Sequence, residues 1–167
     1  MFSFIRQFIK GLTKETDPDQ IAGGIALGFV IGLIPKANLT AQLLIMLLMA
    51  LRVNVPFAFL SIFFVSLINP LFDLISDPLG HYVLSIPSLN SFWTKIYNMP
   101  LVPWTDFNNT VLTGGLIIGI VLWTPVYLYS RKFAVVYNEK YKTKFLDSKA
   151  VKAFKKSWLL DWYFKES

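Results

Sequence analysis

The sequence predicts an all-α, polytopic membrane protein with short broken or re-entrant helices, one clean transmembrane helix and amphipathic surface helices at both ends. Hydrophobic side chains make up 54% of the residues and charged side chains only 16%, whereas a water-soluble domain carries about a quarter charged residues. Polar residues interrupt most of the apolar segments before they reach the roughly 20 residues that a membrane crossing needs. Ten of the sixteen Lys and Arg residues, with four acidic residues, lie in the last segment, 131–167.

Residues 1–14 have the pattern of an interfacial helix. Apolar side chains share one helical face, and Arg6, Lys10 and Lys14 recur every fourth residue on another. This pattern is typical of a short helix that lies in the plane of the lipid headgroups. A cleaved signal peptide is the alternative, but no long apolar core with a small-residue cleavage site follows the charges. We therefore assign this segment to a surface helix.

The first helix of a broken-helix core, residues 18–80, is predicted over residues 18–34. Asp17 can cap its start, and Pro18 suits its first turn. Such a helix extends about 25 Å, which is short of a hydrocarbon core of about 30 Å. A stripe of small residues at a spacing of four allows another helix backbone to approach closely, within the chain or in a homo-oligomer. The glycines of this stripe are Gly24, Gly28 and Gly32.

A second, shorter helix is predicted over residues 39–51. Pro35 ends the first helix, and Asn38 closes the polar turn Lys36-Ala37-Asn38 in a position to cap the second. This helix extends about 20 Å, which is too short to cross a bilayer unaided. Helix breaks in a membrane persist only where protein or trapped water covers the freed backbone groups. The two helices are therefore predicted to form a re-entrant hairpin or a broken pair.

The third helix begins near Pro56 and carries a polar stripe along one face. The stripe comprises Ser66, Asn69, Asp73 and Asp77. Pro70 removes a backbone donor within the stripe, so we expect a kink or break there, with the Asn69 side chain available to the opened backbone. Asp77 followed by Pro78 has the pattern of another helix start.

Asp73 has no such structural explanation, because it lies between apolar neighbours. An acidic residue within a membrane segment is a functional hypothesis with a partner to be named, and Lys36 and Arg52 are the nearest basic candidates. The alternative is that Asp73 lies at interface depth and is simply hydrated. The sequence alone favours neither interpretation.

An outer interfacial loop is predicted over residues 81–110 and a clean transmembrane helix over residues 111–130. The loop contains aromatic anchors, and its three prolines prevent a long helix. The helix carries no charge before its basic end. Gly115 and Gly119 repeat the close-packing spacing of the first helix, so we expect these two glycine faces to meet.

Both termini are predicted to be cytoplasmic, because basic residues flank the apolar segments at both ends. The basic cytoplasmic tail, residues 131–167, ends in the pattern of a second surface helix. Either the first two helices form a hairpin from the cytoplasmic side and the third helix crosses, or the first two cross as one kinked unit and the Asn69-Pro70 region folds back. We prefer the hairpin, because it leaves Arg52 on the cytoplasmic side, where a basic residue is expected.

Several spaced elements of the sequence agree, in order, with a known bacterial family. They are the string IALGFVIGLIP at 25–35, Gln42 seven residues after its proline, LRVNVP at 51–56, and Asn69-Pro70 followed by Leu79-Gly80. Over residues 15–135 the chain resembles the family called domain of unknown function two-thousand-sixty-two. The resemblance implies a small bacterial inner-membrane protein and supplies no catalytic residues. A branch to which the chain is similar implies an association with large envelope proteins of the AsmA-like lipid-transfer type.

No catalytic constellation is visible, so we expect no enzyme. The chain has no cysteine and one histidine, His81, which excludes thiolate nucleophiles and Cys-based metal sites and leaves little scope for a His-rich one. We expect no metal and no cofactor. The basic tail directly follows an apolar span, so anionic lipid explains it more simply than nucleic acid does, and we expect no nucleic-acid partner.

Two functions fit these features. The first is lipid handling, with an anionic headgroup received among polar residues of the broken helices, as helix ends bind ligands in transporters. Those residues are Lys36, Asn38, Gln42, Arg52, Asn54, Asn69 and Asp73. The alternative is a structural anchor or scaffold that docks a larger envelope protein through its glycine faces and has no ligand of its own. Combined, they predict a small inner-membrane subunit of an envelope phospholipid or lipid-linked precursor transport system, with a partner such as an AsmA-like lipid-transfer protein.

Overall fold

The computed structural model describes residues 17–141, and every regular element in this range is helical. The helices are α1 (Pro18–Gly32), α2 (Leu39–Ala50), α3 (Val55–Leu84), α4 (Asn90–Tyr97) and α5 (Thr110–Val136), with 3-10 turns at Pro87–Leu89 and Val102–Thr105 and a π turn at Tyr137–Tyr141. The prediction of an all-α fold is confirmed. The surface helix predicted over 1–14 and the tail beyond residue 141 lie outside the described residues.

α1 is the central element, and it is buried along nearly its whole length between α3 and α5. Ile21, Ile31, Leu33 and Ile34 are almost completely inaccessible. Asp17 caps the start of α1 by accepting from the Asp19 amide at 2.9 Å, as the sequence predicted. Because lipid tails are as apolar as these side chains, close van der Waals packing rather than hydrophobic transfer is what would hold such a helix in a bilayer.

The predicted glycine stripe of α1 faces the first half of α3. A methyl group on Gly24 would lie 2.5 Å from the Asn54 carbonyl oxygen, and one on Gly32 would lie 2.5 Å from Cβ of Val65. Contacts advance along both helices together, so α1 and α3 run parallel. The stripe therefore serves packing within the chain, and its burial leaves it unavailable to a second copy or a partner protein.

Gly115 and Gly119 of α5 pack against a different side of α1. A methyl group on Gly115 would lie 2.7 Å from the Leu33 carbonyl oxygen, and one on Gly119 would lie 3.0 Å from Cγ1 of Val30. The expectation that the two glycine faces meet is wrong. α1 has small residues on the side facing α3 and branched apolar residues on the side facing α5, so each long helix occupies its own groove.

The closest helix contact was not predicted. Gly80 of α3 lies against the Thr110 carbonyl, and Gly114 of α5 lies against the backbone of Ser76, with no room for a side chain at either glycine. Ser76 and Gly80 are four residues apart, as are Thr110 and Gly114. This spacing of small residues is the signal from which the contact could have been predicted.

α1 and α2 form a hairpin whose two ends meet at the same end of the bundle. The Asn54 amide donates to the Gln20 carbonyl at 2.9 Å, which joins the beginning of α1 to the residue that follows the hairpin. At the tip, the Asn38 side chain accepts from the Ala41 amide at 2.8 Å and caps α2, as predicted. The helices end at Gly32 and Ala50, slightly before the predicted residues 34 and 51.

α3 is longer and more continuous than the sequence predicted. It runs for 30 residues through both Pro70 and Pro78. Of the kink or break predicted at Pro70, the break is therefore wrong, and so is the helix start predicted at Asp77. The Asp77 carboxylate instead accepts a hydrogen bond from the Thr110 hydroxyl of α5. Packing of α3 on two neighbouring helices explains why the lost backbone bonds are tolerated. The predicted broken core is therefore interrupted between α1 and α2 and between α2 and α3, but not within α3.

Within residues 17–141, two helices are long and apolar enough to cross a membrane. They are Val55–Leu84 and Thr110–Lys140, with mean hydropathies of 2.0 and 1.9. Only 17% and 22% of their apolar windows is buried, whereas the core helix of a soluble protein is mostly buried. Several large apolar side chains on them are at least 60% exposed, among them Phe64, Leu71, Leu74, Ile120 and Val121. The clean transmembrane helix predicted over 111–130 is thus longer than expected, and α3 is a second candidate span. Because α3 continues to Leu84, the predicted loop 81–110 is also shorter.

Candidate functional site

A polar cluster surrounds the end of α1 at the tip of the hairpin. Nζ of Lys36 donates to the carbonyls of Gly32 and Ile34 at 2.8 and 2.5 Å. The Gly32 carbonyl belongs to the last turn of α1, where a helix leaves acceptors without intrahelical donors and carries a partial negative charge, and Ile34 follows two residues later. Lys36 therefore caps the C-terminal end of α1.

α3 contributes the opposite side of this cluster. Nδ2 of Asn69 donates to Oδ1 of Asp73 at 2.9 Å, and the Ser66 hydroxyl approaches the Gly32 carbonyl at 3.5 Å. We expected Asn69 to serve the backbone opened by Pro70, and its bond to Asp73 corrects that expectation. Its own Oδ1 is buried and has no hydrogen-bond partner among the described residues. The cluster thus keeps one unused acceptor.

Of the two basic residues considered as partners of Asp73, Lys36 is the one on which Asp73 acts electrostatically. Loss of hydration lowers the pKa of the Lys36 ammonium, and the nearby Asp73 carboxylate acts in the opposite direction and raises it. An opposite charge favours the charged form of a group, which is why the carboxylate partly restores what burial removes. Loss of hydration is the larger of the two effects, so the Asp73 carboxylate offsets it only in part.

The other predicted ligand residues lie at the base of the hairpin or across the tip. Asn54 is 6% exposed and caps α3 by accepting from the Phe57 amide at 3.2 Å, while Arg52 is exposed beside it. The seven predicted residues accordingly do not form one pocket. Lys36, Asn69 and Asp73 form the cluster, Asn38 and Gln42 line a cleft described next, and the two base residues belong to neither.

An open cleft of about 520 Å³ lies between the hairpin tip and the loop before α5. Its lining residues are Ala37, Asn38, Leu39, Gln42, Pro103, Trp104 and Asp106. The Thr40 hydroxyl donates to the Thr105 carbonyl at 2.7 Å, which holds the two walls together. The sequence predicted the wall formed by the hairpin but missed the opposite one. Trp104 is one of the aromatic residues that the sequence identifies only as interface anchors of the loop 81–110. No local sequence pattern places Asp106 beside α2.

Asp106 has a backbone conformation that suits its residue type. Its φ of 60° lies in the left-handed region, which Asp and Asn tolerate better than most residues. Oδ2 of Asp106 accepts from Nδ2 of Asn109 at 3.3 Å, and a carboxylate retains capacity for further donors. The turn therefore presents an acidic group with spare acceptor capacity at the cleft.

A second polar contact, which the sequence did not predict, closes the base of the bundle. The Asp19 carboxylate accepts from Nε of Arg131 and, at 3.0 Å, from the Tyr127 hydroxyl. The hydrogen bond from Arg131, followed by that from Tyr127, holds the pKa of Asp19 below its ordinary value of 3.8. This contact shows that α1 and α5 run antiparallel, with Asp19 at the Arg131 end of α5.

Comparison with known proteins gives a relative of similar length. An "Uncharacterized protein" from Treponema pallidum (strain Nichols) is 28% identical over 138 residues, which cover 83% of this chain and 85% of that protein. No solved structure matches the chain significantly. A sequence model of one family matches residues 3–143, and the chain belongs to that family, described as "Uncharacterized protein conserved in bacteria (DUF2062)".

Proposed function

We propose that this protein is a small, non-enzymatic subunit of an envelope transport system for phospholipid or a lipid-linked precursor. In this proposal it is integral to the bacterial inner membrane, α3 and α5 cross the bilayer, and both termini are cytoplasmic. The hairpin of α1 and α2 then enters from the cytoplasmic side, and its tip receives a lipid headgroup.

The position of the hairpin tip along α5 is the observation that supports the proposal. The tip meets α5 at Gly115, about 8 Å from Thr110 at one end of the helix, whereas Asp19 at the other end of α1 meets Arg131, about 24 Å farther along. With the Arg131 end in the cytoplasm, the tip lies close to the outer surface of the bilayer. The cleft between the tip and the loop before α5 is then at the level of the outer-leaflet headgroups.

The surroundings of the cleft support a lipid as the occupant. Beyond the cleft, α2 exposes the apolar side chains of Leu43, Met46 and Leu47. Acyl chains would lie against these side chains while the headgroup enters the cleft. Trp104 is 70% exposed at the rim, in the position of an interfacial anchor. An interface site of this kind presents a lipid without removing its chains from the bilayer.

A larger envelope protein, such as an AsmA-like lipid-transfer protein, is the partner that we propose. The two candidate spans found in residues 17–141 are too few to enclose a conduit for a lipid. A cleft at the outer surface could instead pass a lipid to a neighbouring protein. The scaffold alternative relied on docking through the glycine faces. These faces are covered by α3 and α1 within the chain, so a scaffold without a ligand would have to use other surfaces.

Blocking the cleft tests the proposal. Gln42→Trp places a large side chain in the cleft, and Met49→Trp places the same side chain on an exposed position of α2 outside the cleft and outside the proposed acyl-chain face. Each variant replaces the native gene in the source bacterium, and transfer of newly synthesised, radiolabelled phospholipid to the outer membrane is compared with that of a deletion strain. We expect Gln42→Trp to resemble the deletion and Met49→Trp to resemble the wild type, at equal protein amounts.

Two outcomes would overturn the proposal. If the deletion strain transfers lipid at the normal rate, the protein has no part in this transport. If the deletion slows transfer but Gln42→Trp restores it fully, the chain acts as a scaffold and the cleft holds no headgroup.

A further inference from the structure

A second pocket lies in the segment that connects α3 to α5. Its volume is about 330 Å³, within the range of roughly 300–1,000 Å³ that small-molecule sites occupy. It shares no described lining residue with the cleft, and none of its own described lining residues carries a charge. Those residues are Leu84, Trp93, Thr94, Tyr97, Phe107 and Asn108. The pocket therefore suits an uncharged ligand.

Aromatic rings form one wall of this pocket. Trp93 and Tyr97 are four residues apart on α4, and the ring of Phe107 lies against both, with ring centroids 5.9 and 6.2 Å away. Rings at these distances contact one another, so they form a continuous apolar wall. A site for a quaternary ammonium instead holds its rings around the cation as a cage.

Polar groups without partners accompany the aromatic wall. Tyr97 and Asn108 are exposed, and their side chains make no hydrogen bond to other described residues. Nε1 of Trp93 is buried and also lacks a hydrogen-bond partner among the described residues. A buried indole N–H normally has an acceptor. This unpaired donor therefore points, independently of the pocket's shape, to a ligand that brings hydrogen-bonding oxygens.

We propose that this pocket binds the pyranose ring of an uncharged saccharide. A pyranose presents C–H groups on its faces and hydroxyl groups around its edge. One face lies on the aromatic wall, and the hydroxyls bond the side chains of Tyr97, Asn108 and Trp93. A phosphate would meet no cation in the described lining, and an ammonium would meet no carboxylate, so a charged group would lose hydration without compensation.

The saccharide belongs either to an envelope glycan or to the head of a lipid-linked precursor. In the topology proposed above, the segment between α3 and α5 lies on the outer side of the membrane, where both sources are accessible. The pocket and the cleft share no described lining residue. This inference therefore goes beyond the proposed function and does not depend on a lipid in the cleft.

Nuclear magnetic resonance of the purified full chain tests this inference. The protein is isotope-labelled at its indole N–H groups and placed in phosphatidylglycerol nanodiscs, because maltoside detergents carry a sugar themselves. The probes are diacetylchitobiose and phosphocholine. We expect diacetylchitobiose to shift the indole signal of Trp93 with saturation and to leave that of Trp104, in the cleft, unchanged. Phosphocholine is expected to bind about fivefold more weakly.

Two variants with matched controls assign binding to the pocket. Tyr97→Phe keeps the ring and removes one hydroxyl, and we expect it to weaken diacetylchitobiose binding about threefold. Tyr82→Phe removes the hydroxyl of an exposed tyrosine outside the lining and is expected to have no effect. Phe107→Leu interrupts the aromatic wall and is expected to weaken binding about tenfold. Its control is Phe92→Leu, because Phe92 contacts Trp93 from outside the lining, and we expect binding to change little.

Three results would overturn the proposal. They are a Trp93 signal that diacetylchitobiose leaves unchanged, tighter binding of phosphocholine than of diacetylchitobiose, and normal binding by both Tyr97→Phe and Phe107→Leu. Methyl and octyl N-acetylglucosaminide then identify the source, with octanol as the control for partition into the nanodisc. Equal binding of the two glycosides supports a free glycan, and binding of the octyl glycoside about tenfold more tightly supports a lipid-linked saccharide. Both of these results support a pyranose site.

Discussion

Lys36 and Asp73 bring opposite charges to the same end of α1, where the Asp73 carboxylate partly offsets the loss of hydration of the Lys36 ammonium. The Lys36 ammonium donates to the carbonyl of Gly32, which α1 leaves without an intrahelical donor, and to that of Ile34 just beyond the helix. The Asp73 carboxylate favours the charged form of that ammonium and is itself held by Asn69. A charged side chain that looked like a ligand residue in the sequence thus has a structural role in ending a helix.

Replacing Lys36 by methionine tests this role. We expect Lys36→Met to lower the free energy of unfolding by about 1–2 kcal/mol, because two carbonyls and one carboxylate lose their cationic partner. Lys95→Met removes an exposed cation of α4 and is the control. The measurement is thermal unfolding of the purified protein in a single detergent, and equal midpoints for the two variants would contradict the capping role.

Asp19 makes the base of the bundle sensitive to pH. Because Arg131 and Tyr127 lower its pKa in the folded state, the ionised form stabilises the fold above the unfolded pKa, and this stabilisation is lost as pH falls through the folded pKa. We expect the difference in unfolding midpoint between wild type and Asp19→Asn to be present at pH 7 and to shrink below about pH 4. Glu139→Gln is the control, and a difference that does not change with pH would exclude this linkage.

At the scale of the elements, three close backbone contacts hold the long helices and α1 together. α1 meets α3 along its glycine stripe, α5 meets α1 at Gly115 and Gly119, and α3 meets α5 at Gly80 and Gly114. In a bilayer such contacts carry most of the association, because transfer from lipid to protein gains little for an apolar side chain.

The α3–α5 contact is expected to be the most sensitive to added volume. Gly114→Ala directs its methyl group into the Ser76 backbone, so we expect a loss of about 1–3 kcal/mol in stability. Gly23→Ala meets only the side chain of Val53, at 3.2 Å, and is expected to be nearly neutral. Unfolding in sodium dodecyl sulfate titrations compares the two variants. If Gly23→Ala were the more damaging, the packing described for α3 and α5 would be wrong.

The third helix shows where local sequence patterns mislead. Pro70 and Pro78 each remove a backbone donor, and Asp77 before a proline is a common helix start, so a break was the natural expectation. In the structure, Asp77 bonds the Thr110 hydroxyl and Ser76 packs on Gly114. These partners are more than thirty residues away in the sequence, and no short-range pattern predicts the contacts. The caps at Asp17 and Asn38 are local, and the sequence predicted both.

At the scale of the whole molecule, helix length predicted the architecture better than it predicted the site. The sequence shows two helices, each too short to cross a bilayer, joined by a polar turn, and this pattern predicted the hairpin. In the structure, the hydrogen bond from Asn54 to Gln20 closes the hairpin. The sequence did not predict the cleft, because its second wall, Trp104 and Asp106, belongs to the loop before α5. This loop contacts α2 through the bond between Thr40 and Thr105, which are 65 residues apart in the sequence.

In the topology that we propose, the hairpin enters the membrane from the cytoplasmic side and its tip reaches the outer surface. Because the native chain has no cysteine, single cysteines in spheroplasts treated with a membrane-impermeant thiol reagent test it directly. We predict that Ala37→Cys and Trp104→Cys react from outside, whereas Arg52→Cys and Lys132→Cys react only after permeabilisation. Ala37→Cys reacting only after permeabilisation, or Arg52→Cys reacting from outside, would contradict the account.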